Sequence, residues 1–254
     1  MERNLLKVSD RIRSLWAALV FILLLIICTP ICVLIVSITL GRGTNLVISY
    51  IGSFMGRTTL RAAGITFQVA NHQSSNTQPC IYIVNHKTTL DLIIFLAMGL
   101  PRVRFVAKRE LQYNPFFYIL GKSTGQIFID RSQSEKAIQR LRNTYQRVIE
   151  KKLNILLAPE GTRKHKGIIG TFKKGPFRMA MDLGYPIVPI YIKGARHLNG
   201  TSDIWIKKGN ITVHIHPAIS TDDWQLETLE THISKVRHRY LSWAENDTLK
   251  KALR

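Results

Sequence analysis

The sequence predicts an α/β protein in which a central mixed β-sheet is flanked by helices, with a long apolar helical segment in front of it. Short apolar runs of strand length recur along the chain, and several of them end in polar residues. Amphipathic stretches with helical spacing alternate with these runs. The 254 residues suffice for one sizeable α/β domain and a small appendage. We expect the appendage at residues 1–64 and the main domain at residues 65–254.

The appendage has the composition of a membrane anchor. No charged residue occurs from Ser14 to Gly41. One straight helix over residues 15–40 would be roughly 39 Å long, more than the ~30 Å of a hydrocarbon core. Pro30 is expected to kink or break it. Two arrangements are open: a single tilted or kinked crossing, and a hairpin turned near Pro30 that enters one leaflet and returns. We favour a bent anchor whose second half continues from Asn45 to Leu60.

The charge balance calls for an anionic partner. Lys and Arg number 36 and Asp and Glu 16, which gives a net charge of +20. An anionic membrane or a phosphorylated substrate would satisfy it. Nucleic acid is not expected, because neither a basic recognition helix nor the aromatic-basic strand motifs of RNA binders occur. The three cysteines show neither a disulfide framework nor metal spacing. We predict a membrane protein whose main domain lies on the cytoplasmic face.

A histidine and a carboxylate flank a predicted strand-to-helix turn. His86 follows the apolar run Cys80–Val84, and Asp91 precedes an apolar helical stretch. On one helix their spacing of five would separate them, but they can meet if His86 lies in the loop and Asp91 in the first helical turn, with Thr88 or Thr89 as the N-cap. An imidazole held by a carboxylate can act as a general base. The alternative is a loop whose polar groups only satisfy backbone donors.

A cationic turn follows another predicted strand, residues 154–158. It reads Pro159-Glu160-Gly161-Thr162-Arg163. Gly161 permits a sharp turn with exposed backbone N–H groups, Thr162 adds a hydroxyl, and Arg163 offers a forked cation. Together they suit a phosphate monoester. The alternative is a basic surface turn.

Three further segments carry competing predictions. Residues 121–125 match the nucleophile elbow of α/β-hydrolases with Ser123 as nucleophile, but a predicted strand follows where the elbow requires a helix. A membrane lipase is therefore the weaker enzyme alternative. The aromatic stretch at residues 115–120 is expected in the core, with an acyl-chain groove or lipid contact as alternatives. Pro189, inside a predicted strand at residues 187–192, suggests an edge strand or a bulge.

Four stretches taken in order resemble the glycerolipid acyltransferase family, and within it the lysophosphatidic acid (1-acyl-glycerol-3-phosphate) acyltransferases. They are His86-x4-Asp91, Phe128-Ile129-Asp130-Arg131, Pro159-Glu160-Gly161-Thr162-Arg163 and Ile187-Val188-Pro189-Ile190. The resemblance covers residues 65–220. It implies a glycerol-3-phosphate acyltransferase-like α/β domain, an N-terminal membrane-embedded helical anchor, and acyl-CoA or acyl-carrier protein as donor. Two departures are visible: Ala158 replaces an aromatic residue, and Lys87-Thr88 replaces Gln-Ser.

The resemblance assigns roles to individual residues. His86 is the expected general base, and Asp91 orients it. The residues associated with the acceptor phosphate are Arg131, Glu160, Gly161, Thr162 and Arg163. The implied reaction acylates the free hydroxyl of a lysophospholipid, 1-acyl-glycerol-3-phosphate first, with no cofactor and no metal. Backbone amides near His86 are the candidate oxyanion donors. The alternatives are another lysolipid acceptor, and a membrane-anchored basic binding protein without catalysis.

Overall fold

The computed structural model describes residues 7–71, 79–129, 135–165, 167–199 and 204–252, and these contain one seven-stranded sheet. Its strands are β1 (Ile65–Asn71), β2 (Ile81–Val84), β3 (Val103–Lys108), β4 (Ile127–Ile129), β5 (Asn154–Leu157), β6 (Ile187–Lys193) and β7 (Gly209–Ile215). The helices are α1 (Val8–Ile38), α2 (Thr44–Leu46), α3 (Ser53–Ala62), α4 (Asp91–Ala97), α5 (Pro115–Ser123), α6 (Glu135–Glu150), α7 (Lys174–Leu183), α8 (Ala195–Leu198) and α9 (Leu229–Ala252). A π-helical stretch, Val47–Gly52, joins α2 to α3, and a 3-10 turn, Arg109–Tyr113, precedes α5.

The sheet has the strand order β1-β7-β6-β2-β5-β3-β4. Adjacent strands are parallel except β6 and β7, which are antiparallel. The predicted mixed sheet flanked by helices is confirmed. From β2 the chain passes to β3 on one side, whereas from β5 it passes to β6 on the other. Helix α4 after β2 packs on one face of the sheet and α7 after β5 on the other, so the two loops leave the carboxyl ends of these neighbouring strands towards opposite faces. Open α/β sheets bind ligands at such a point.

Two apolar clusters cover the two faces of the sheet, because side chains alternate along a strand. Tyr82 of β2 shares a cluster with buried residues of α3 and α4, and Ile83 shares the other with α7 and α9. Tyr240 of α9 is fully buried. Its hydroxyl donates to the Ile83 carbonyl at 2.7 Å and accepts from the Ile190 N–H at 3.1 Å. The end of β2 is thus held firmly from both faces.

The N-terminal segment forms a helical hairpin, which we define as α1 together with residues 44–62. α1 continues through Pro30, so the alternative of a turn near that residue is wrong. The chain turns instead after Ile38, where Leu40 and Gly41 adopt φ angles of 49° and 84°, a conformation that glycine reaches without strain. Residues 44–62 then return along α1, as the predicted helical second half requires. The domain boundary at residue 64 stays a prediction.

α1 has one buried and one exposed face. Ala17 packs in the main core, and Cys28 and Cys32 pack against the returning half of the hairpin. The exposed face carries large apolar side chains at helical spacing: Ile12, Leu15, Trp16, Leu19, Ile22, Leu23, Ile26, Ile27, Ile31, Leu34 and Ile38. Within the described residues, α1 alone is long and apolar enough to cross a membrane. It is a candidate membrane anchor.

Three local predictions gain a structural answer. The helix α5, expected in the core, packs on α1 and leaves Phe116, Tyr118 and Ile119 exposed, so the core prediction is wrong. Ser123 ends this helix and its hydroxyl donates to a carbonyl one turn earlier, with β4 following. The strand-turn-helix of a nucleophile elbow is therefore not formed. Pro189 lies in β6, which is internal to the sheet, so the edge-strand prediction is wrong. The antiparallel pairing of β6 with β7 and the residues after it is interrupted at Pro189.

Candidate active site

His86 and Asp91 meet in the loop after β2. The Nδ1 atom of His86 lies 2.6 Å from Oδ2 of Asp91. The carboxylate is almost completely buried, whereas the His86 side chain keeps 27% of its surface exposed. An acceptor at Nδ1 selects the tautomer in which Nδ1 carries the hydrogen and Nε2 keeps its lone pair. The ring of Phe95 in α4 lies against the imidazole, 5.9 Å between centroids. The dyad therefore has the geometry of an oriented general base.

Asp91 gathers the donors of its own loop. Its Oδ2 accepts from the backbone N–H groups of Lys87 at 2.7 Å and Thr88 at 2.9 Å. Its Oδ1 accepts from the Thr88 hydroxyl at 2.6 Å. The N-cap residue of α4 is Leu90, so the prediction of Thr88 or Thr89 as the cap is wrong. The carboxylate attracts these donors inward, which fixes its own orientation as well as the loop.

The four consecutive backbone N–H groups of residues 86–89 have protein acceptors. The amide of His86 donates to Oε2 of Glu160 at 3.3 Å, and the amide of Thr89 donates to Oδ1 of Asn199 at 3.0 Å. The two amides between them donate to Asp91. Each of these four amides thus has an acceptor within the protein, and a role for backbone amides near His86 as oxyanion donors stays a prediction.

Glu160 connects the two motifs. Its side chain is 1% exposed, and Oε2 lies 3.0 Å from Nε2 of His165 as well as accepting from His86. Its Oε1 accepts from the Gly170 N–H at 3.3 Å. Burial raises the pKa of Glu160 to about 7. Through this carboxylate the cationic turn, to which Glu160 belongs, bonds to the dyad loop. The contact of Glu160 with an acceptor phosphate stays a prediction.

Lys87 and His165 extend this network. The Lys87 ammonium donates to the carbonyl of His165 and lies 3.3 Å from its Nδ1. Because an ammonium can only donate, Nδ1 of His165 accepts from Lys87. The ring hydrogen of His165 is therefore on Nε2, which donates a hydrogen bond to Glu160. Burial, followed by the charge of Lys87, lowers the pKa of His165. Burial, followed by the charge of Arg196, lowers the pKa of Lys87.

The turn after β5, which bonds to the dyad loop through Glu160, carries a cation at Arg163. Gly161 has a φ angle of +67°, which its lack of a Cβ permits. The exposed Thr162 uses its hydroxyl to accept from the Lys164 N–H at 3.1 Å. Arg163 is half-buried, and within the described part of the chain neither a hydrogen bond nor an ion pair engages its guanidinium. That guanidinium is available to an anion.

The predictions for Arg131 and for a metal ion remain. Arg131, the remaining predicted acceptor residue, lies outside the described residues. Across the ranges that the structure describes, no group of three or more His, Cys, Asp or Glu side chains could hold a metal ion.

Sequence reasoning missed three contributors to the site. Lys87 was noted only as a departure from the family pattern, and His165, two places after Arg163, was not identified. Their contact spans 78 residues. Asn199 lies 110 residues from Thr89, whose amide and hydroxyl it accepts, and no local pattern could identify it.

Comparison with known proteins agrees with this geometry. Residues 61–193, which include the dyad and the cationic turn, match the family described as Acyltransferase. The chain belongs to the acyltransferase family.

Curated relatives of this acyltransferase carry a more specific name. The 1-acyl-sn-glycerol-3-phosphate acyltransferase of Cocos nucifera is 28% identical over 190 residues, and the Saccharomyces cerevisiae protein of that name is 30% identical over 189. These alignments cover 75% and 74% of this chain and 61% of each relative, so the acyltransferase spans about three fifths of their length.

The fold is similar to a solved structure. The crystal structure of the 1-acyl-sn-glycerophosphate (LPA) acyltransferase PlsC from Thermotoga maritima superimposes with a TM-score of 0.72 at 19% identity. The match covers 92% of this acyltransferase and 96% of the other chain, so it includes the N-terminal hairpin as well as the sheet.

Proposed function

We propose that this acyltransferase moves a fatty acyl group from a thioester donor, acyl-CoA or acyl-carrier protein, to the free hydroxyl of 1-acyl-glycerol-3-phosphate. The product is phosphatidic acid. The observation that carries the proposal is the dyad of His86 and Asp91, 2.6 Å apart and joined through Glu160 to the turn that bears Arg163. The names of the curated relatives support this acceptor over other lysolipids.

The dyad supplies the proton transfers. Nε2 of His86 takes the proton of the acceptor hydroxyl while that oxygen attacks the thioester carbonyl carbon. Asp91 stabilises the imidazolium that forms. The tetrahedral intermediate then collapses, the C–S bond breaks, and the thiolate receives the proton from His86. A thiolate is a good leaving group, so the step requires no metal and no cofactor beyond the donor.

The cationic turn supplies the position of the acceptor. A guanidinium binds phosphate through two parallel charge-assisted hydrogen bonds. Arg163 would hold the phosphate in this way, together with Arg131. Glu160 fixes the distance between the cationic turn and the dyad. Its carboxylate accepts from the His86 N–H, and Arg163 follows Glu160 by three residues. Holding the hydroxyl against Nε2 converts a bimolecular encounter into an oriented one.

The hairpin supplies the membrane attachment. The buried face of α1 contacts the protein from Ser14 to Val36, so this helix cannot cross a bilayer without the domain following it. Its exposed apolar face suits burial in one leaflet, with the net charge of +20 attracting anionic lipid. This favours the one-leaflet arrangement, with the catalytic domain on the cytoplasmic face.

His86→Ala tests the base. Purified protein in neutral detergent is given acyl-CoA and 1-acyl-glycerol-3-phosphate, and thiol release is followed with and without the lysolipid. We expect acceptor-dependent release to fall about 10²- to 10⁴-fold, whereas His238→Ala on the exposed surface of α9 retains it. Transfer near the wild-type rate in His86→Ala would end the assignment. Wild-type protein that releases no thiol indicates a binding protein, and fatty acid release without acceptor indicates a lipase.

Arg163→Ala tests the phosphate clamp. Losing a charge-assisted pair costs about 1.5–3 kcal/mol, so the KM for the lysolipid should rise roughly 10- to 150-fold. The KM for acyl-CoA should change far less. Arg239→Ala, an exposed arginine of α9, is the matched control. Equal losses for the two substrates would contradict the clamp.

A further inference from the structure

A second cavity lies at the end of the sheet where β3 and β5 begin. Its volume is about 460 Å³, within the range of small-molecule sites. Arg104, which lines it, pairs in register with Ile155, and Ile155 pairs with Ile81. His86 follows Ile81 by five residues, so the two sites are roughly 16 Å apart along the strands. We call this second site the basal cavity.

Every charged side chain that lines the basal cavity is cationic: Arg42, Arg102, Arg104, Lys122, Arg147 and Lys151. They come from the turn of the hairpin, from β3, and from the C-terminal ends of α5 and α6. Within the described ranges none of the six forms an ion pair with a carboxylate. A concave surface lined by charges of one sign focuses its field and attracts counter-ions.

Arg104 is the deepest of these cations. It is 5% exposed, and among the residues that the structure describes its guanidinium donates to two neutral oxygens, Oδ1 of Asn45 at 3.2 Å and the Val103 carbonyl at 2.9 Å. Burial, then the charges of Arg147 and Arg102, lowers the pKa of Arg104 to about 10. A buried charge without an opposite charge is costly, so native proteins pair such groups.

Arg147, which also lines the basal cavity, has an N–H donor without an acceptor among the described residues. Its Nη2 donates to the Gly125 carbonyl at 3.2 Å, but its Nε is buried, and within the described part of the chain this atom has no hydrogen-bond partner. A buried donor left unsatisfied is as unusual as an unpaired buried charge. The unpaired charge of Arg104 and the unsatisfied Nε–H of Arg147 both belong to the lining of the basal cavity. One anionic ligand would satisfy both groups.

We propose that the basal cavity is a second anion site, which binds a phosphate group. A phosphate offers several strong acceptor oxygens and matches the forked donors of arginine. The exposed cations Arg42, Arg102 and Lys151 surround the entrance, and Leu40 and Gly41 of the hairpin turn form part of the wall. The phosphate group reaches the cavity either from a lipid headgroup beside α1 or from a water-soluble phosphate.

The site is tested in the Arg163→Ala/Arg131→Ala protein, so that neither arginine of the proposed catalytic clamp contributes. The full chain in neutral detergent is titrated calorimetrically, at low salt, with inorganic phosphate, with dioctanoyl phosphatidic acid and with dioctanoyl phosphatidylcholine. We expect saturable binding at one site per chain. Saturation by inorganic phosphate identifies a soluble source, and saturation by phosphatidic acid alone identifies a lipid headgroup.

Variants locate the site. Arg147→Gln should weaken the binding at least tenfold, and so should the double variant Arg42→Gln/Lys151→Gln, whose two exposed side chains can change without disturbing the core. Arg239→Gln on α9 should leave the binding unchanged. The proposal is overturned if neither ligand saturates, if phosphatidylcholine binds as tightly as phosphatidic acid, or if the double variant binds like the parent protein. None of these outcomes depends on catalysis at His86.

Discussion

Glu160 is a buried carboxylate whose electrostatics a single substitution can reveal. Its pKa of about 7 lies above the ordinary value of 4.5 because burial disfavours its charge. Between pH 4.5 and 7 the native state therefore binds more protons than the unfolded state, and this group's contribution to stability falls as the pH rises. His165 acts in the opposite sense: its lowered pKa makes stability rise with pH below about 6.5.

Because Gln does not titrate, we expect Glu160→Gln to abolish the fall in stability that this carboxyl causes as the pH rises. Relative to the variant, the wild-type protein should lose roughly 1–3 kcal/mol of unfolding free energy between pH 5 and pH 8. Denaturant titration of both proteins in detergent at several pH values measures this difference. The exposed Glu245→Gln is the control and should give curves parallel to wild type. A wild-type-minus-variant difference that stays constant with pH would contradict the buried titration.

At the scale of elements, α3 and α4 cross at backbone contact distance. A Cβ added to Gly56 would lie 2.5 Å from the Ala97 nitrogen and 2.7 Å from the Ile93 carbonyl oxygen. Because both atoms belong to backbone, α4 would have to move, and α4 carries Asp91. Gly56→Ala should lower the unfolding free energy by about 1–3 kcal/mol and reduce transfer activity with it.

Gly175 provides the matched comparison. It also lies within a helix, but a Cβ there would meet no atom within 4 Å. Gly175→Ala should be neutral or stabilise the protein by about 0.5–1 kcal/mol. Denaturant titration measures the unfolding free energy of both variants. Equal changes for Gly56→Ala and Gly175→Ala would contradict the close contact between α3 and α4.

A chain of hydrogen bonds links the hairpin to the loop of His86. Asn199 accepts from the amide and hydroxyl of Thr89 and donates to the Trp205 carbonyl at 3.1 Å. The next residue, Ile206, donates to Ser14 of α1 at 2.8 Å. Hydrogen bonds between neutral groups thus connect α1 to the loop of His86.

We expect Asn199→Ala to lower kcat about tenfold or more, because the orphaned amide of Thr89 costs about 1–3 kcal/mol and loosens the dyad loop. The KM values should change less, since the cationic turn is untouched. Asn210→Ala, an exposed asparagine of β7, is the control. Steady-state kinetics with a raised lysolipid KM and an unchanged kcat would contradict this positioning role.

For the whole molecule, the exposed face of α1 should control attachment to lipid. Leu23 and Ile27 are 47% and 56% exposed on that face. Changing both to Lys forfeits about 1.5–3 kcal/mol of apolar burial for each side chain, so vesicle flotation should show at least a tenfold loss of partitioning. Leu226→Lys, also exposed but far from the hairpin in sequence, should float like wild type. Undiminished flotation of the double variant would exclude this face as the anchor.

Much of the fold could be predicted because its signals are local. The apolar runs of β2 and β5, the helix that begins at Asp91 and the apolar helical hairpin all follow from periodicity within short windows. The alternative with a turn near Pro30 is wrong, because packing along the whole of α1 outweighs one lost hydrogen bond. Likewise α5 is apolar yet lies at the surface, since composition does not distinguish a core from a face presented to lipid.

By itself the sequence identified the candidate site residues: a histidine five residues before an aspartate after one strand, and an arginine turn after another. Only the tertiary structure decided that β2 and β5 are neighbours, which allows Glu160 to join the two loops. It also decided that six cations from separate segments converge on the basal cavity. The reason is physical: spacing along the chain fixes contacts within a few residues, whereas the pairing of distant strands is settled by the packing of the whole core.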